Sequence, residues 1–274
     1  MKKIHLFLLS AAIVLTFLPT DVSASSPDQR FRLGLNMNVT FPLGSLGDFS
    51  SYDNFAFFSD KNDQGLVAKE GGVVVGFGLD LKASYRLNDE GLKAYAKLGF
   101  LVNQLCSNAS DSILSTISNN MGGLIASSKV DLPMLVTIPL LVGAHYDLNI
   151  VNHFGLFAEA GLGVAFRSMS TSKVRFYDFI IPAYTEDGRA ISSVEFSNKA
   201  KVATSFAFEA GVGLNINSWI SAGVFYSFLG AADVKYTTID KYDFESGDSK
   251  TVTSDFAAGR LTNQQLTIRL GFTF

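Results

Sequence analysis

The chain ends on QLTIRLGFTF, residues 265–274, where apolar and polar side chains alternate without a break. The apolar positions are Leu266, Ile268, Leu270, Phe272 and Phe274. Arg269 lies among them on the polar face, together with Gln265 and Thr267. A repeat of two residues predicts a β-strand with one apolar and one polar face. Which face turns toward the protein interior depends on whether water or lipid surrounds the protein. The rest of the sequence indicates which of the two it is.

Seven other segments repeat this alternation. They are residues 30–41, 73–87, 92–102, 137–148, 154–166, 205–216 and 219–229. Each is long enough to supply the ~9–11 residues that a tilted strand needs to cross a bilayer. After the N-terminal segment, no stretch offers the ~18 uninterrupted apolar residues of a transmembrane helix. The pattern therefore predicts an all-β protein with eight membrane-crossing strands.

The polar faces of these strands alternate long charged residues with glycine. The glycines include Gly76, Gly78, Gly161, Gly163, Gly211 and Gly213. Glycine weakens a strand interior unless something has to fit closely over it, and the inside of a small closed barrel is filled by alternating small and large residues. The polar face is therefore expected to form the core and the apolar face to meet lipid. Because Arg269 would cost ~2–4 kcal/mol at the bilayer midplane, we expect it to point inward.

The connections between strands alternate between short and long. NDEG (88–91), NIVN (149–152) and NINS (215–218) are short turns, whereas the other connections run to roughly 25–35 residues, a pattern typical of outer-membrane barrels. An even strand count places both termini on the short-turn side, and pairing of the first strand with the last leaves no edge in lipid. The predicted fold is a closed eight-stranded antiparallel up-and-down transmembrane β-barrel with short periplasmic turns and long extracellular loops.

The N-terminal segment has the sequence features of a secretory signal peptide. Lys2 and Lys3 precede an apolar run that closes on Val22-Ser23-Ala24, so we expect cleavage after Ala24, with residues 25–274 forming a single barrel domain in the outer membrane. Removal of residues 1–24 changes the formal net charge from −3 to −4, which predicts no nucleic-acid partner. Cys106 is the only cysteine, so no intrachain disulfide can form.

With its terminal aromatic strand and the stretch TIPLLVGAHYDL (137–148), the sequence resembles the Gram-negative outer-membrane β-barrel family of eight-stranded, OmpA-like topology, often called the porin family. The resemblance covers essentially all of the chain after residue 24. It implies that the barrel-assembly machinery recognises the terminal strand through Leu266, Ile268, Leu270, Phe272 and Phe274. It also implies a monomer surrounded by outer-membrane lipid and lipopolysaccharide.

Six charged residues lie at or near the middle of the polar faces. They are Asp80, Lys82, Lys97, Glu159, Glu209 and Arg269. One hypothesis is a gate in a narrow path, with Glu159 and Glu209 on adjacent strands held by Arg269 or a lysine. The other is an ion-pair network that makes a polar core tolerable, since buried charges must be paired. An eight-stranded barrel is only just wide enough for its own side chains, which disfavours a standing channel.

Histidine is scarce after the signal peptide. Only His145 and His153 remain, on either side of the NIVN turn and thus at the predicted periplasmic end. Hydrolytic sites in small outer-membrane barrels need a histidine at the outer rim, and a zinc site needs several nitrogen or sulfur ligands. We therefore predict no catalytic, cofactor-binding or metal-binding residues.

The long connections 43–70, 168–202 and 229–263 are rich in aromatic residues, and two of them contain hairpin signals at residues 186–188 and 245–247. These aromatics either form an exposed contact surface for a ligand or pack the connections upon themselves. The predicted function is a non-enzymatic structural or surface-interaction role through these loops. A narrow gated pore for ions or small solutes is the first alternative, and an outer-membrane lipid-modifying enzyme is the weaker one.

Overall fold

The computed structural model describes residues 30–47, 56–59, 65–67, 73–88, 90–105, 125–151, 154–179, 183–185 and 188–274. The predicted signal peptide and its cleavage at Ala24 lie outside these ranges. The strands are β1 (Phe31–Leu43), β2 (Ala56–Ser59), β3 (Gly65–Val67), β4 (Val73–Arg86), β5 (Leu92–Leu105), β6 (Ile125–Asp131), β7 (Met134–Val151), β8 (Phe154–Met169), β9 (Ser172–Phe179), β10 (Ala183–Tyr184), β11 (Ala190–Ala200), β12 (Ala203–Asn215), β13 (Ile220–Phe244) and β14 (Ser249–Thr273).

A 3₁₀ turn at Gly44–Leu46 follows β1. In the part of the chain that the structure describes, no helix is long and apolar enough to cross a membrane.

Eight strands form a ring of antiparallel pairs in the order β12-β8-β7-β5-β4-β1-β14-β13, and β13 pairs with β12 to complete it. The first strand of the chain pairs with the last, so that Val39 lies opposite Ile268 and Met37 opposite Leu270. The predicted eight-stranded antiparallel barrel is confirmed. Because every wall strand has a partner on both sides, backbone polar groups are satisfied where no water is present.

The short turns lie at one end of this ring, as the sequence predicts. They join β4 to β5, β7 to β8 and β12 to β13, and the start of β1 and the end of β14 lie at the same end. In the first of them Asn88 Oδ1 accepts a hydrogen bond from the Leu92 backbone N–H at 2.9 Å. At the last, Asn217 Oδ1 accepts one from Ile220 N–H at 2.6 Å.

The burial pattern is inverted relative to a water-soluble protein. Apolar residues on the outside of the ring are exposed, with Leu81 at 62% and Val142 at 55% of their full area. Charged residues on the inside are buried, with Asp80 at 2% and Arg269 at 5%. Soluble monomers rarely expose a contiguous apolar surface on this scale. The exterior of the ring is therefore made to contact lipid.

Five of the eight wall strands continue beyond the barrel as an open sheet, here called the extracellular sheet. Its order is β14-β13-β11-β9-β6, where β11, β9 and β6 prolong β12, β8 and β7 respectively. The hairpin predicted at residues 245–247 is confirmed as the turn between β13 and β14, while Glu186 and Asp187 of the other lie outside the described residues. Much of connections 168–202 and 229–263 is strand, in agreement with the hairpin signals that the sequence carries there.

Gly230 marks the point where β13 leaves the barrel. Below it β13 pairs with β12, where Phe228 lies opposite Phe208, and above it β13 pairs with β11, where Tyr236 lies opposite Ala200. The register of β13 against β14 shifts between Phe228 and Ala231, and Gly230 has a φ of 92°. A glycine bulge of this kind bends a strand and increases its twist. It lets one strand serve both the barrel and the sheet above it.

An apolar core is formed jointly by the inner face of the extracellular sheet and the extracellular ends of the barrel strands β4, β5, β7 and β8. Its buried members are Leu46, Val73, Leu105, Leu135, Met169, Val174, Phe176, Val194, Ala200, Val234, Tyr236 and Leu261. The aromatics Phe176 and Tyr236 are only 2% and 1% exposed, so the sequence hypothesis that the loop aromatics form an exposed contact surface is wrong for them. Tyr184 is exposed, and the side chains of Phe49, Tyr52, Phe55, Phe57 and Phe58 in connection 43–70 lie outside what the structure describes.

Candidate functional site in the barrel interior

Two near-identical segments place a pair of glutamates in the barrel interior. EAGLG (159–163) on β8 and EAGVG (209–213) on β12 pair antiparallel about Ala160 and Ala210. Glu159 therefore lies opposite Gly211, and Glu209 lies opposite Gly161. Both glutamates are at most 5% exposed, on the inner face. Two like charges so near each other need cations from elsewhere in the barrel.

The glycines between these charges give room to large inner side chains. A methyl group on Gly161 would overlap the hydroxyl of Tyr95, and one on Gly211 would overlap the ring of Phe225. Gly213 makes the same allowance for the ring of Phe157. The alternation of glycine and large residues is thus a packing device of the interior.

Arg269 on β14 reaches across the interior to both glutamates. Its Nη1 donates to Glu159 Oε1 at 3.3 Å, and its Nη2 donates to Glu209 Oε1 at 2.7 Å. Nη2 also lies 3.4 Å from Asp80 Oδ2, and Nε donates to Asn38 Oδ1 at 3.0 Å. The guanidinium stacks on Phe225, 3.7 Å from the ring centroid. This fork satisfies several acceptors at once, which a lysine ammonium cannot do in the same geometry.

Two lysines complete the cluster. Lys97 forms an ion pair with Glu209 and lies 3.8 Å from Asp80 Oδ2, while Lys82 forms an ion pair with Glu159. The structure thus brings all six predicted interior residues together, with three cations facing three carboxylates. Each carboxylate has a cation within ion-pair distance, so the buried cluster is electrically balanced.

His145 belongs to the same cluster, whereas its position in the sequence indicated only a place near the periplasmic turn 149–152. Its Nδ1 lies 3.0 Å from Glu159 Oε2 and 3.1 Å from Lys82 Nζ, and its Nε2 lies 2.8 Å from Asp147 Oδ1. The ring stacks on Phe157 at 5.0 Å between centroids. The available signal was its place on the polar face of a strand whose neighbour carries Glu159 in register with it.

The interior on the extracellular side of the charges is filled by two further layers. The first is apolar and consists of Leu101, Leu141, Ala165, Ala207 and Leu229. The second is a polar layer in which Gln265 Nε2 donates to Asn103 Oδ1 at 3.1 Å and Asn103 Nδ2 donates to Thr40 Oγ1 at 3.0 Å. Filled layers of this kind leave the interior packed, as expected for a barrel of this size.

Among the described residues, no group of three or more His, Cys, Asp and Glu side chains is arranged to hold a metal ion.

The outer face of the extracellular sheet carries more basic than acidic residues. Its cations are Lys129, Lys173, Arg175, Lys199, Lys201, Lys235, Lys241 and Arg260, and its carboxylates are Asp131, Glu195, Asp233, Asp243 and Asp255. Glu195 accepts hydrogen bonds from Arg175 Nε at 3.0 Å and Lys173 Nζ at 3.1 Å. The hydrogen bonds from Arg175, followed by those from Lys173 and Ser197, lower the pKa of Glu195 to about 2.

The structure combines a closed ring of eight strands, a lipid-facing apolar exterior, a buried polar interior and short turns at one end, which together are typical of outer-membrane barrels. The chain is an eight-stranded outer-membrane β-barrel. No protein-family model and no curated protein matches the sequence. The six predicted interior residues of this outer-membrane barrel are in contact. Four of the five predicted assembly residues lie on β14, with Leu266, Ile268 and Leu270 facing outward, and Phe274 directly follows the strand.

Several solved structures are similar in fold. Neisserial surface protein A has 12% identity over 90% of this chain and 98% of that chain, with a TM-score of 0.37. OprG from Pseudomonas aeruginosa has 13% identity over 89% and 95%, with a TM-score of 0.40. Ail, the attachment invasion locus protein of Yersinia pestis, has 12% identity over 89% and 96%, with a TM-score of 0.30. Likenesses at this level add no weight to the assignment, which rests on strand pairing and burial.

Proposed function

We propose that this protein is a monomeric, non-enzymatic surface protein whose barrel anchors an extracellular sheet that contacts material outside the cell. The observation that carries the proposal is the extracellular sheet itself, whose inner face forms a buried apolar core together with the extracellular ends of the barrel strands. A barrel that serves only to span the membrane needs no such core, because short loops close its strands equally well. The sheet instead provides a stiff, raised surface.

The dimensions of the sheet support this role. Beyond Gly230, β13 runs on from Ala231 to Phe244, which at about 3.3 Å per residue is roughly 45 Å of strand. The turn Glu245–Asp248 therefore stands well clear of the membrane. Because Phe176 and Tyr236 are buried in the core, the surface of the sheet that is free for contact is its outer face, where charged side chains lie beside the exposed Tyr177.

The packed interior weighs against the two alternatives. An open pore needs a continuous polar path, whereas the interior on the extracellular side of the charges is occupied by buried side chains such as Leu101, Leu141 and Leu229. A lipid-acting enzyme needs an acid–base pair at the outer rim. His145 lies instead toward the periplasmic turns, with both ring nitrogens already in contact with Glu159, Lys82 and Asp147.

The proposal is tested by adhesion of cells that display the protein to glycan-coated and protein-coated surfaces. The variant Lys129→Glu/Lys199→Glu/Lys241→Glu reverses three charges on the outer face of the sheet, and we expect it to lower adhesion several-fold. Glu90→Lys in a periplasmic turn is the control. Unchanged adhesion of the triple variant, or adhesion no greater than that of cells lacking the protein, overturns the proposal.

The pore alternative has its own readout. Refolded protein, shown to be folded by heat-modifiable gel mobility, is recorded in a planar bilayer at acidic and neutral pH. We expect a silent bilayer. Unitary steps whose size changes in Glu159→Gln or Arg269→Met would replace the proposed role by a gated pore.

A further inference from the structure

Three basic residues lie on the inner face of the barrel at its periplasmic end. Arg32 is the second residue of β1, Arg86 is the last residue of β4, and Lys93 is the second residue of β5. Arg32 is an even number of residues from the buried Asn36, as Lys93 is from the buried Lys97. Side chains alternate between the two faces of a strand, so these cations share the face that forms the interior. They are here called the periplasmic basic cluster.

Strand pairing brings the three side chains of this cluster together. Arg32 lies opposite Ser84, two residues from Arg86 on β4, and Arg86 lies directly opposite Lys93. The backbone N–H of Arg86 donates to the carbonyl of Arg30 at 2.8 Å, which fixes the end of β4 beside the start of β1. Like charges directly opposite each other destabilise a sheet, and the charge of Arg86 also repels that of Arg32. The barrel therefore holds these cations close together at a cost to its own stability.

The carboxylate of Asp147 lies beside this cluster but is already bound by other groups. It forms an ion pair with Lys93, and its Oδ1 accepts a hydrogen bond from Asn215 Nδ2 at 2.7 Å and lies 2.8 Å from His145 Nε2. In the part of the chain that the structure describes, Arg32 forms no ion pair, and its Nε is buried without a hydrogen-bond partner. A charged N–H group that is removed from water needs an acceptor, because leaving it unsatisfied costs the full desolvation penalty. An anion from solution meets this need.

The periplasmic basic cluster is open to solution from the side of the short turns. Arg32 and Arg86 are half-buried, and 14% of the Lys93 side chain is exposed. Ser84 Oγ donates to the carbonyl oxygen of Arg32 at 3.5 Å and so helps to hold that residue in place. A recess lined by charges of one sign, with walls of low dielectric constant, raises the local concentration of counter-ions. A small anion therefore reaches Arg32 without entering the packed interior.

We propose that the periplasmic basic cluster binds the phosphate group of a small solute in the periplasm, with Arg32 as the principal contact and Arg86 and Lys93 beside it. A guanidinium presents parallel N–H donors that match two oxygens of a phosphate. A phosphate group carries roughly 1.5 to 2 negative charges at neutral pH. It therefore offsets more of the repulsion within the cluster than chloride or a single carboxylate does. Free phosphate and a phosphate ester share this chemistry.

This inference goes beyond the proposed function, because its ligand lies on the periplasmic side of the membrane rather than outside the cell. Adhesion through the extracellular sheet and phosphate binding through the periplasmic basic cluster use different residues at opposite ends of the barrel. The adhesion experiment can therefore fail while phosphate binds, and the reverse also holds.

The test is isothermal titration calorimetry of the whole folded protein in detergent, with inorganic phosphate as the probe at constant ionic strength. We expect Arg32→Gln to bind phosphate roughly 10- to 100-fold more weakly than the wild type, as for loss of a charged hydrogen-bond donor. Arg32→Lys should lie between them, because it keeps the charge but loses the fork. Arg260→Gln, which removes an exposed arginine from the extracellular sheet, is the matched control and should change the affinity by less than about 2-fold. Heat-modifiable mobility checks that each variant is folded.

Urea unfolding with and without phosphate separates a binding role of Arg32 from a structural one. A ligand that binds only the folded state raises its stability, so phosphate should stabilise the wild type and leave Arg32→Gln unchanged. Without phosphate, Arg32→Gln should be no less stable than the wild type, because the substitution relieves the repulsion from Arg86. A loss of stability without phosphate, together with no effect of phosphate on the wild type, would mean that Arg32 is only structural.

A titration with glycerol phosphate distinguishes the two sources of the phosphate group. Tighter binding of glycerol phosphate than of inorganic phosphate identifies a phosphate ester as the ligand, and the opposite order identifies free phosphate. The absence of saturable binding to the wild type, equal affinities of the wild type and Arg32→Gln, or equal losses in Arg32→Gln and Arg260→Gln would each overturn the proposal. If Arg32→Gln does not fold, Arg32→Lys takes its place in the comparison.

Discussion

Glu159 and Glu209 occupy equivalent places on two paired strands, each directly opposite a glycine of the other strand. The two carboxylates share one cation, Arg269, which comes from β14 on a different part of the barrel wall. The ion pairs therefore tie together strands that are not neighbours in the ring. The last strand of the chain is linked across the interior as well as along its edges.

Removal of the shared cation is expected to destabilise the barrel strongly. Arg269→Met leaves Glu159 and Glu209 less neutralised in a buried site, and loss of one partner from such a cluster costs about 3–5 kcal/mol. Arg269→Lys should lie between, because it keeps the charge but loses the fork. Urea unfolding in lipid vesicles, followed through the fluorescence of Trp219, measures the free energy of unfolding. Arg260→Met, at an exposed position, serves as the control, and an equal loss in both variants would contradict the expectation.

The glycines opposite the glutamates are expected to resist enlargement. Gly211→Ala places a methyl group against the ring of Phe225, and overpacking of a filled interior costs about 1–3 kcal/mol. In the double variant Gly211→Ala/Phe225→Ala the ring atoms nearest the new methyl group are absent, so its loss should be smaller than the sum of the two single losses, while the overlap with the Val224 carbonyl oxygen remains. The same unfolding measurement applies to both. A single variant as stable as the wild type would show that the ring moves aside without cost.

Gly230 is expected to be sensitive for two reasons. Its φ of 92° is unfavourable for other residues, and a methyl group there would overlap the side chain of Ser205. Gly230→Ala should therefore destabilise the segment in which β13 leaves the barrel, with a loss of local stability on the order of 1–3 kcal/mol. Hydrogen exchange of the β11–β13 pair reports it. Gly188→Ala is the control for backbone strain, because Gly188 has a φ of 78° but an added methyl group would meet no atom within 4 Å. A comparable loss of stability in Gly188→Ala would mean that the overlap with Ser205 does not contribute to the effect at Gly230.

The pH dependence of the extracellular sheet is expected to include a contribution from Glu195. Its folded pKa of about 2 lies below the ordinary 4.5, so the pairing stabilises the sheet above pH 4.5 and this stabilisation is lost as pH falls toward 2. Glu195→Gln should lower the stability of the sheet by roughly 1 kcal/mol or less at pH 7, in keeping with a partly exposed pair.

Hydrogen exchange across β9 and β11 at pH 7 and at low pH measures this contribution. The difference between Glu195→Gln and wild type should shrink as the carboxyl is protonated. Asp131→Asn is the control, because Asp131 and Lys129 are both more than half exposed and lie 3.8 Å apart. A difference that stays constant across the pH range would mean that the effect of Glu195 is not electrostatic.

Alternation in the sequence was enough to predict the barrel. QLTIRLGFTF and its seven counterparts carry a period of two, and a strand with this period has two chemically distinct faces whatever its partners are. Short turns such as NINS (215–218) and the glycines opposite the charges then indicate which face is inside. These signals are local, so they can be read without knowing what lies across the barrel.

The tertiary structure decided which residues meet. His145 and Glu159 are brought together by the register of β7 against β8, and Arg269 reaches Glu209 only because the ring closes. The same holds for Phe176 and Tyr236, whose side chains are buried because β9 and β13 turn the same face toward one core. A single strand fixes the face on which a residue lies. The residue it contacts depends on register, closure and bulges such as that at Gly230, which are set by long-range pairing.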